Sequence, residues 1–383
     1  LRILHVIRGL ANSSGTTHIV GPLAEAQARQ NHSVKIFFVE KTNEPAIVPD
    51  SSLVQSQGFP MSVPSARGWS RPFARAFNGA VRNADIVHIH AIWNFPTWCA
   101  MREAHRASVP YVVAPQGSLE DWALGRNRLL KRLYASVAEK PYFDRALAIH
   151  AVTQTEADQC RRFGIKAPPR ILPNGVDLTN VDRDTGAVDL RAELSLPRNA
   201  VLFLFVGRLF PKKGLDVLIP AFSRLAAERS DVFLVIAGHD AGSGYHKVLE
   251  NLVAAYGVTA QTHFLGEVHG HRKFAVLRAA DVFVLTSYSE GLPVAVLEAM
   301  ASRCPVIVSR NCNLTDVQDK RVGWLVSPEV KSVFLGLKEA AASPDERRNR
   351  GENGRRLVEE TYTWERIARR SIALYGADRF HIN

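Results

Sequence analysis

The chain is poor in cysteine, with four in 383 residues, at positions 99, 160, 304 and 312. None stands at a metal-ligand spacing from another, so a disulfide framework and a zinc module are both excluded. The four thiols read as small buried apolar residues of a reducing compartment. No apolar run reaches the length that spans a bilayer. No fixed-period repeat and no low-complexity tract is present. Acidic residues are the scarcer sign: 37 Asp and Glu stand against 48 Lys and Arg, a formal net charge of +11. That balance calls for an anionic partner, either nucleic acid, nucleotide phosphates or an acidic membrane surface. Helix-turn-helix, zinc-finger and RRM patterns are missing, which places nucleic acid last and leads to the expectation of none. Gly-x-Gly-x-x-Gly is missing too, which weakens an NAD reading.

What is present is a recurring pattern of short apolar runs alternating with helical ones. Strand-like runs fall at 1–7, 34–39, 84–90, 110–114, 146–152 and 170–172, and again at 201–206, 232–237, 281–285, 305–309 and 323–326. Runs apolar on both faces fit parallel sheets covered by helices. The expected helices include 19–30, 154–163, 215–228, 246–256, 274–280, 330–342 and 344–360. The length suits two such α/β domains. Pro173-Asn174-Gly175 is a turn by its chemistry, and 182–197 reads as a linker between the halves. The chain opens directly on a strand-like run with no signal peptide visible, so a cytoplasmic location is expected.

The most informative stretch is 286–301. The apolar run 281–285 leads into a turn, Ser287 to Leu292, and Pro293 stands where a helix would begin. In open α/β sheets, ligands bind at such carboxyl ends of strands. The N–H groups of Gly291, Leu292, Pro293's neighbour Val294 and the helix dipole would face an anion. Glu290 and Glu298 bracket that point, about 12 Å apart at helical rise. A carboxylate accepts two hydrogen bonds and suits a vicinal diol. The arrangement can hold a nucleotide sugar, its diphosphate at the helix start and its hydroxyls at either end. A second basic loop follows the strand 201–206, with Arg208 and Lys213 five residues apart. A forked guanidinium and a point ammonium there can clamp a diphosphate. Glu298 lies among Ala, Val, Leu and Met, where an unpaired charge would be costly.

Ser289-Glu290-Gly291-Leu292-Pro293, with Glu298-Ala299-Met300-Ala301, resembles the Glu-x7-Glu signature of the retaining glycosyltransferase family 4. Gly207-Arg208 with Lys213-Gly214 resembles that family's second signature, and Pro173-Asn174-Gly175-Val176-Asp177 resembles the turn closing its first domain. The resemblance implies the GT-B architecture: an α/β fold of two Rossmann-like doubly wound parallel-sheet domains facing a cleft, with a C-terminal helix crossing back to the first domain. The expected division is 1–180 for the acceptor side, 195–362 for the nucleotide-sugar side and 363–383 for the returning helix. The implied activity is glycosyl transfer from a nucleotide diphosphate sugar to a hydroxyl, with retention and without a metal or cofactor. UDP- and GDP-sugars are the expected donors, and a carbohydrate or lipid-linked molecule of polysaccharide, lipopolysaccharide or other glycoconjugate assembly is the expected acceptor.

Residue by residue, the resemblance gives Arg208 and Lys213 to the diphosphate and Glu290 to the donor sugar. Glu298 falls to the ribose, and the backbone at Val268 and His269 to the nucleobase. The loop 9–17, with Gly15, corresponds to one approaching the donor phosphates. On the acceptor side it points to His90, at the end of a strand, to Trp93 in the following loop, and to Gln116. Family members commonly have His at the position of Gln116. Gln cannot act as a base, but it can hydrogen-bond a sugar hydroxyl or a phosphate oxygen. His88 and His90 could be read as metal ligands on one strand face, but no third ligand declares itself.

Two basic stretches raise the question of a membrane. Arg67, Arg71, Arg75 and Arg82 would share one side of a helix, and read as a solvated face. Residues 120–142 carry Arg126, Arg128, Lys131, Arg132 and Lys140 with interleaved Trp122, Leu129, Leu130 and Tyr134. That stretch suits docking on anionic lipid headgroups at the inner face of a membrane. Two rival functions remain at this point: a GT-B sugar-nucleotide epimerase, for which no acid–base pair stands out, and a non-catalytic sugar-nucleotide-binding or membrane scaffold. Asn12, Asn31 and Asn313 begin glycosylation triplets that read as chance.

Overall fold

The structure is a computed structural model, in which residues 1–10, 15–40, 45–63, 66–119, 139–183 and 188–376 are described. The chain divides into two compact units, Leu1–Gly175 with Trp364–Asn383 as unit 1, and Val176–Thr363 as unit 2.

Unit 1 is built on seven parallel strands: β1 (Arg2–Ile7), β2 (Ser33–Val39), β3 (Val54–Phe59), β4 (Ile86–His90), β5 (Tyr111–Ala114), β6 (Ala148–Ala151) and β7 (Pro169–Ile171). Their order is β3-β2-β1-β4-β5-β6-β7. Unit 2 has six: β8 (Val201–Val206), β9 (Val232–Ala237), β10 (Thr262–Gly266), β11 (Val282–Leu285), β12 (Val306–Ser309) and β13 (Gly323–Val326), in the order β10-β9-β8-β11-β12-β13. Every pairing is parallel. Both sheets are doubly wound Rossmann-like sheets. The winding reverses between β1 and β4 in one and between β8 and β11 in the other, and crevices at such switch points take ligands. All six residues of β8 are buried, as helices on both faces of a parallel sheet require.

The helix Arg71–Val81 shows how sequence divides the two sides of such an element. Ser70 caps it by accepting from the Phe73 N–H, and Pro72 sits in its first turn, where a missing N–H costs nothing. Phe73 and Phe77 point inward and meet Phe37 and Phe59, with Phe59 and Phe73 edge to face at 5.6 Å. Each phenyl so buried contributes about 1.5–3 kcal/mol. Arg71 and Arg75 are exposed on the other side.

Several expectations are corrected here. Arg67 and Arg82 do not continue that helix: Arg67 precedes it with a left-handed φ of 53°, and Arg82 is its C-cap. The loop after β4 is short, because Asn94 caps a helix Phe95–Arg106 through the Thr97 N–H. Residues 176–180 fall in unit 2, where the helix Leu178–Asp182 packs on the helices Gly270–Ala279 and Val294–Ala301. The expected linker is tied into the same unit, since Arg191 pairs with Asp281 at 2.5 Å. The last helix, Trp364–Gly376, belongs to unit 1 and packs on the helix Thr17–Ala28. Gly175 is required where that helix begins, because a Cβ there would lie 2.6 Å from the Trp364 ring.

The four cysteines are free and buried. Of the basic stretch 120–142, residues 120–138 lie outside the described residues. No helix among the described residues is long and apolar enough to cross a membrane.

Candidate functional site

In unit 2 the switch point brings the two signature loops together. The loop after β8 ends in a 3₁₀ turn, Pro211–Lys213, and at Gly214, whose φ is 71°. A Cβ on Gly214 would lie 2.2 Å from the Thr286 carbonyl oxygen, so only glycine lets this loop lie against the end of β11. The Thr286 hydroxyl donates to the Gly214 carbonyl at 2.8 Å, and the Tyr288 N–H donates to the Lys212 carbonyl at 2.8 Å. Lys213 thereby reaches Glu290, with Nζ 2.7 Å from Oε1. Ser287 donates to the same oxygen at 2.7 Å. Arg208 is exposed and, among the described residues, has no ion-pair partner.

The turn that carries Glu290 is held from behind by the loop after β12. The Glu290 N–H donates to the Asn311 carbonyl at 3.0 Å, and Asn311 Nδ2 donates to the Tyr288 carbonyl at 2.9 Å. Asn313, left-handed at φ 56°, donates from Nδ2 to the Glu290 carbonyl at 2.5 Å. The helix Val294–Ala301 then starts at Pro293 with no side-chain cap and no acidic residue in its first turn. That leaves its N-terminal donors and dipole for an anion. Gly291 and Val294 are half-buried, and Leu292 and Pro293 are buried.

Glu298, one and a half turns into that helix, pairs with Lys273 at 2.6 Å. Lys273 comes from the helix Gly270–Ala279 and was not singled out in the sequence. Its only signal was the costly isolation of Glu298 among apolar neighbours. Each carboxylate is thus paired with a lysine, with 12% and 14% of their side chains exposed. The bonds described for each go to Oε1, which leaves Oε2 to present to a ligand. Val268 is buried at the N-terminal side of the same helix, and Glu267 pairs with both His239 and His269 at 3.0 Å.

In unit 1 the predicted residues cluster at the ends of β4 and β5. Ala91, Trp93 and Gln116 all take left-handed φ values, 62°, 69° and 51°. Non-glycine residues held at such φ values carry local backbone strain. The Trp93 indole donates to the Ser118 carbonyl at 3.2 Å, and its N–H donates to Glu139 at 3.1 Å. Glu139 is fully buried, and burial pushes its carboxyl up to about 7, against the opposing hydrogen bond from Trp93. Glu156, also buried, accepts from the Gly117 N–H at 2.6 Å and the Val152 N–H at 2.7 Å, pinning the Gln116 turn. Sequence reasoning missed both glutamates.

His90 is corrected as a direct contact. It is fully buried, and its two ring nitrogens meet His5 at 2.8 Å and Gln116 at 3.2 Å. The pairing of His88 and His90 without a third imidazole is also corrected. His5 of β1 joins them, and the candidate ligand atoms of the three lie within 4.8 Å of one another. Gly15 is exposed, and a Cβ there would meet nothing within 4 Å.

Residues 188–357 match the family model described as glycosyl transferases group 1, and residues 14–175 match that of the glycosyl transferase 4-like domain. The chain belongs to the group 1 glycosyltransferases. It is 29% identical over 54% of its length to an uncharacterized glycosyltransferase of Methanocaldococcus jannaschii, of which it spans 53%. To the putative teichuronic acid biosynthesis glycosyltransferase TuaC of Bacillus subtilis it is 27% identical, over 79% of this chain and 75% of that one. The fold is also that of HepE of Anabaena, solved in complex with UDP and glucose, at a TM-score of 0.77 and 16% identity, covering 98% and 100% of the two chains. In this glycosyltransferase the two family signatures, far apart in sequence, meet in the ion pair of Lys213 with Glu290.

Proposed function

We propose that the chain transfers a glycosyl unit from a nucleotide diphosphate sugar to a hydroxyl, with retention of configuration. The single observation that carries this reading is the pair of lysine-held carboxylates, Glu290 and Glu298, on either side of an uncapped helix start. The donor diphosphate binds at the N–H groups of Gly291, Leu292 and Val294, with Arg208 and Lys213 as its cations. Glu290 holds the sugar hydroxyls through Oε2, and Glu298 holds the ribose. Val268 backs the nucleobase. As the bond from the anomeric carbon to the phosphate oxygen breaks, Arg208, Lys213 and the helix start stabilise the charge that develops on the diphosphate. The acceptor hydroxyl attacks the anomeric carbon on the face the diphosphate leaves, and a phosphate oxygen takes its proton. The residue cations carry the role a divalent metal would otherwise fill.

Trp93 and Gln116 of unit 1 are assigned to the acceptor side. UDP is favoured as the nucleotide by the UDP complex of HepE, and a glycoconjugate polymer as the product by the name of TuaC. Residues 120–142 are assigned to an anionic membrane surface, a claim that flotation with anionic against neutral vesicles tests.

The test of the activity is release of nucleotide from a panel of UDP- and GDP-sugars, with and without carbohydrate acceptors. The wild type is expected to turn over one donor, and Lys213→Ala to lose about 10²–10³-fold in kcat. A folded wild type that turns over none, or a Lys213→Ala variant as active as wild type, contradicts the reading.

A further inference from the structure

Four histidines interrupt the apolar strands of unit 1: His5 on β1, His88 and His90 on β4, and His150 on β6. Strand alternation puts all four on the side of the helices Thr17–Ala28 and Trp364–Gly376, whose Gln27 and Tyr375 they meet. None is more than 2% exposed. Buried polar atoms must be paired, and here the pairs form one continuous chain whose direction can be worked out from two fixed points.

The first fixed point is the Leu172 carbonyl, which can only accept. His150 Nε2 lies 2.7 Å from it and therefore carries the proton. His150 Nδ1, 3.1 Å from His88 Nε2, must then accept, so His88 is also protonated on Nε2. That leaves His88 Nδ1 to accept from the Tyr375 hydroxyl at 2.7 Å. The second fixed point is Ser371, whose hydroxyl is spent on the Ala368 carbonyl at 2.7 Å. Ser371 and Tyr375 both need a donor, and Gln27 Nε2 supplies it at 2.9 and 3.1 Å. The Gln27 amide is thereby oriented, and its oxygen faces His5 Nε2 at 2.7 Å. His5 is protonated on Nε2 in turn, and its Nδ1 accepts from His90 Nε2 at 2.8 Å. His90 Nδ1 is left as an acceptor, and the Gln116 amide nitrogen donates to it at 3.2 Å. Burial favours the neutral imidazoles that the chain requires, holding His5 and His150 down to about 4 and His88 and His90 well below 6.5. The three imidazoles that come within metal-ligand range of each other therefore already have a partner for every ring nitrogen.

One atom is left over. Gln116 Oε1 is buried and, among the described residues, has no hydrogen-bond partner, at a turn with φ 51° that Glu156 holds in place through Gly117.

We propose that this one-way chain fixes which way the Gln116 amide faces: one N–H of its nitrogen is committed to His90, and its oxygen takes a hydrogen bond from a hydroxyl of the bound carbohydrate. The carbohydrate rests on the glycosyl-transfer reading; the polarity does not. Gln116 contacts the ligand, while His90, His5 and Gln27 are positioning residues acting through it. A phosphate oxygen, which can only accept, cannot pair with Oε1. A histidine in place of Gln116 would present a nitrogen whose role changes with its tautomer, whereas this amide presents an oxygen that only accepts.

The polarity is tested on the intact wild-type protein by long-range proton–nitrogen spectra with labelled histidine. His5, His88, His90 and His150 are all expected as Nε2–H tautomers. An unprotonated Nε2 on His90, whether from the other tautomer or from a metal ion bound there, overturns the inference. The ligand class is tested with Gln116→Met, which has similar volume, no donor and only a weak acceptor. Its kcat/KM for the sugar nucleotide turned over by wild type is expected to fall about 10- to 100-fold, while UDP and GDP bind as to wild type. Unchanged turnover, or weaker binding of the bare nucleotides, overturns it. A wild type that turns over no donor removes the glycosyl-transfer reading and the hydroxyl with it, and the histidine spectra then still decide the polarity.

Discussion

The two units share one sheet topology and solve the problem of a polar site in opposite ways. Unit 2 uses formal charge: Lys213 with Glu290 and Lys273 with Glu298, each pair at the edge of burial. Unit 1 uses neutral groups: four imidazoles, two amides and a phenol, joined to one another in a single hydrogen-bonded chain. Among the described residues unit 2 has no fully buried histidine. Charged pairs suit a ligand that is itself highly charged, because they can exchange partners with it. A neutral chain suits a ligand with hydroxyls, because it fixes which side donates without the cost of burying an ion.

The largest expected effect breaks the charged side. Glu290→Gln keeps the shape of the residue but removes the charge that pairs with Lys213, and kcat should fall about 10²-fold or more in a steady-state assay. Little change in kcat would mean that the pair is structural only.

The next effect separates the units by pH. Below about 6.5 the unfolded chain protonates His5, His88, His90 and His150, whereas the native state resists until about 4 at His5 and His150 and far below 6.5 at the other two. The unfolded state then binds more protons, so acid destabilises unit 1 by about 1.4 kcal/mol per pH unit for each excess proton. Glu139 opposes this, since its native pKa of about 7 stands above the ordinary 4.5 and its contribution is lost as pH rises between them. Four groups against one leave unit 1 weaker from pH 6.5 to 4. Hydrogen exchange should show β1 and β4 losing protection in that window before β8 and β11. Equal loss in both units would count against the neutral histidine chain.

A smaller effect sharpens the charged side. Lys273→Met removes the ion-pair partner of Glu298. Affinity for the nucleotide should fall about 3- to 10-fold by titration calorimetry, with kcat little changed, because Lys273 orients a binding group. The smallest concerns Asn313. Asn313→Ala removes the donor to the Glu290 carbonyl, and a loss of about 1 kcal/mol in stability is expected from denaturant unfolding.

The sequence was most legible where chemistry and periodicity agreed. The helix Leu215–Glu228 and the strands β8, β9 and β13 fall at the expected residues, since their apolar runs are bounded by Gly, Pro or polar residues. The Glu290 turn and the Arg208–Lys213 loop were legible because glycine and proline mark them. The supports were not. Lys273, Asn311 and Asn313 are ordinary surface types until the fold brings them within reach of Glu298 and Glu290. The histidine chain hid for the same reason: His88 and His90 were visible on one strand, but His5 and His150 join them only through sheet register, 83 residues and more away in the case of His5. Gln116 stood out as a departure from a family pattern, and its polarity could come only from the partners of its partners.

The most direct test of the account is calorimetric titration of UDP, GDP and ADP into the wild type and into Glu298→Ala. The account predicts that one of the three binds wild type and binds the variant about 10-fold or more weakly, since the ribose loses its carboxylate. Equal binding to both proteins, or no binding of any nucleotide to folded wild type, would contradict the placement of the donor at Glu290 and Glu298.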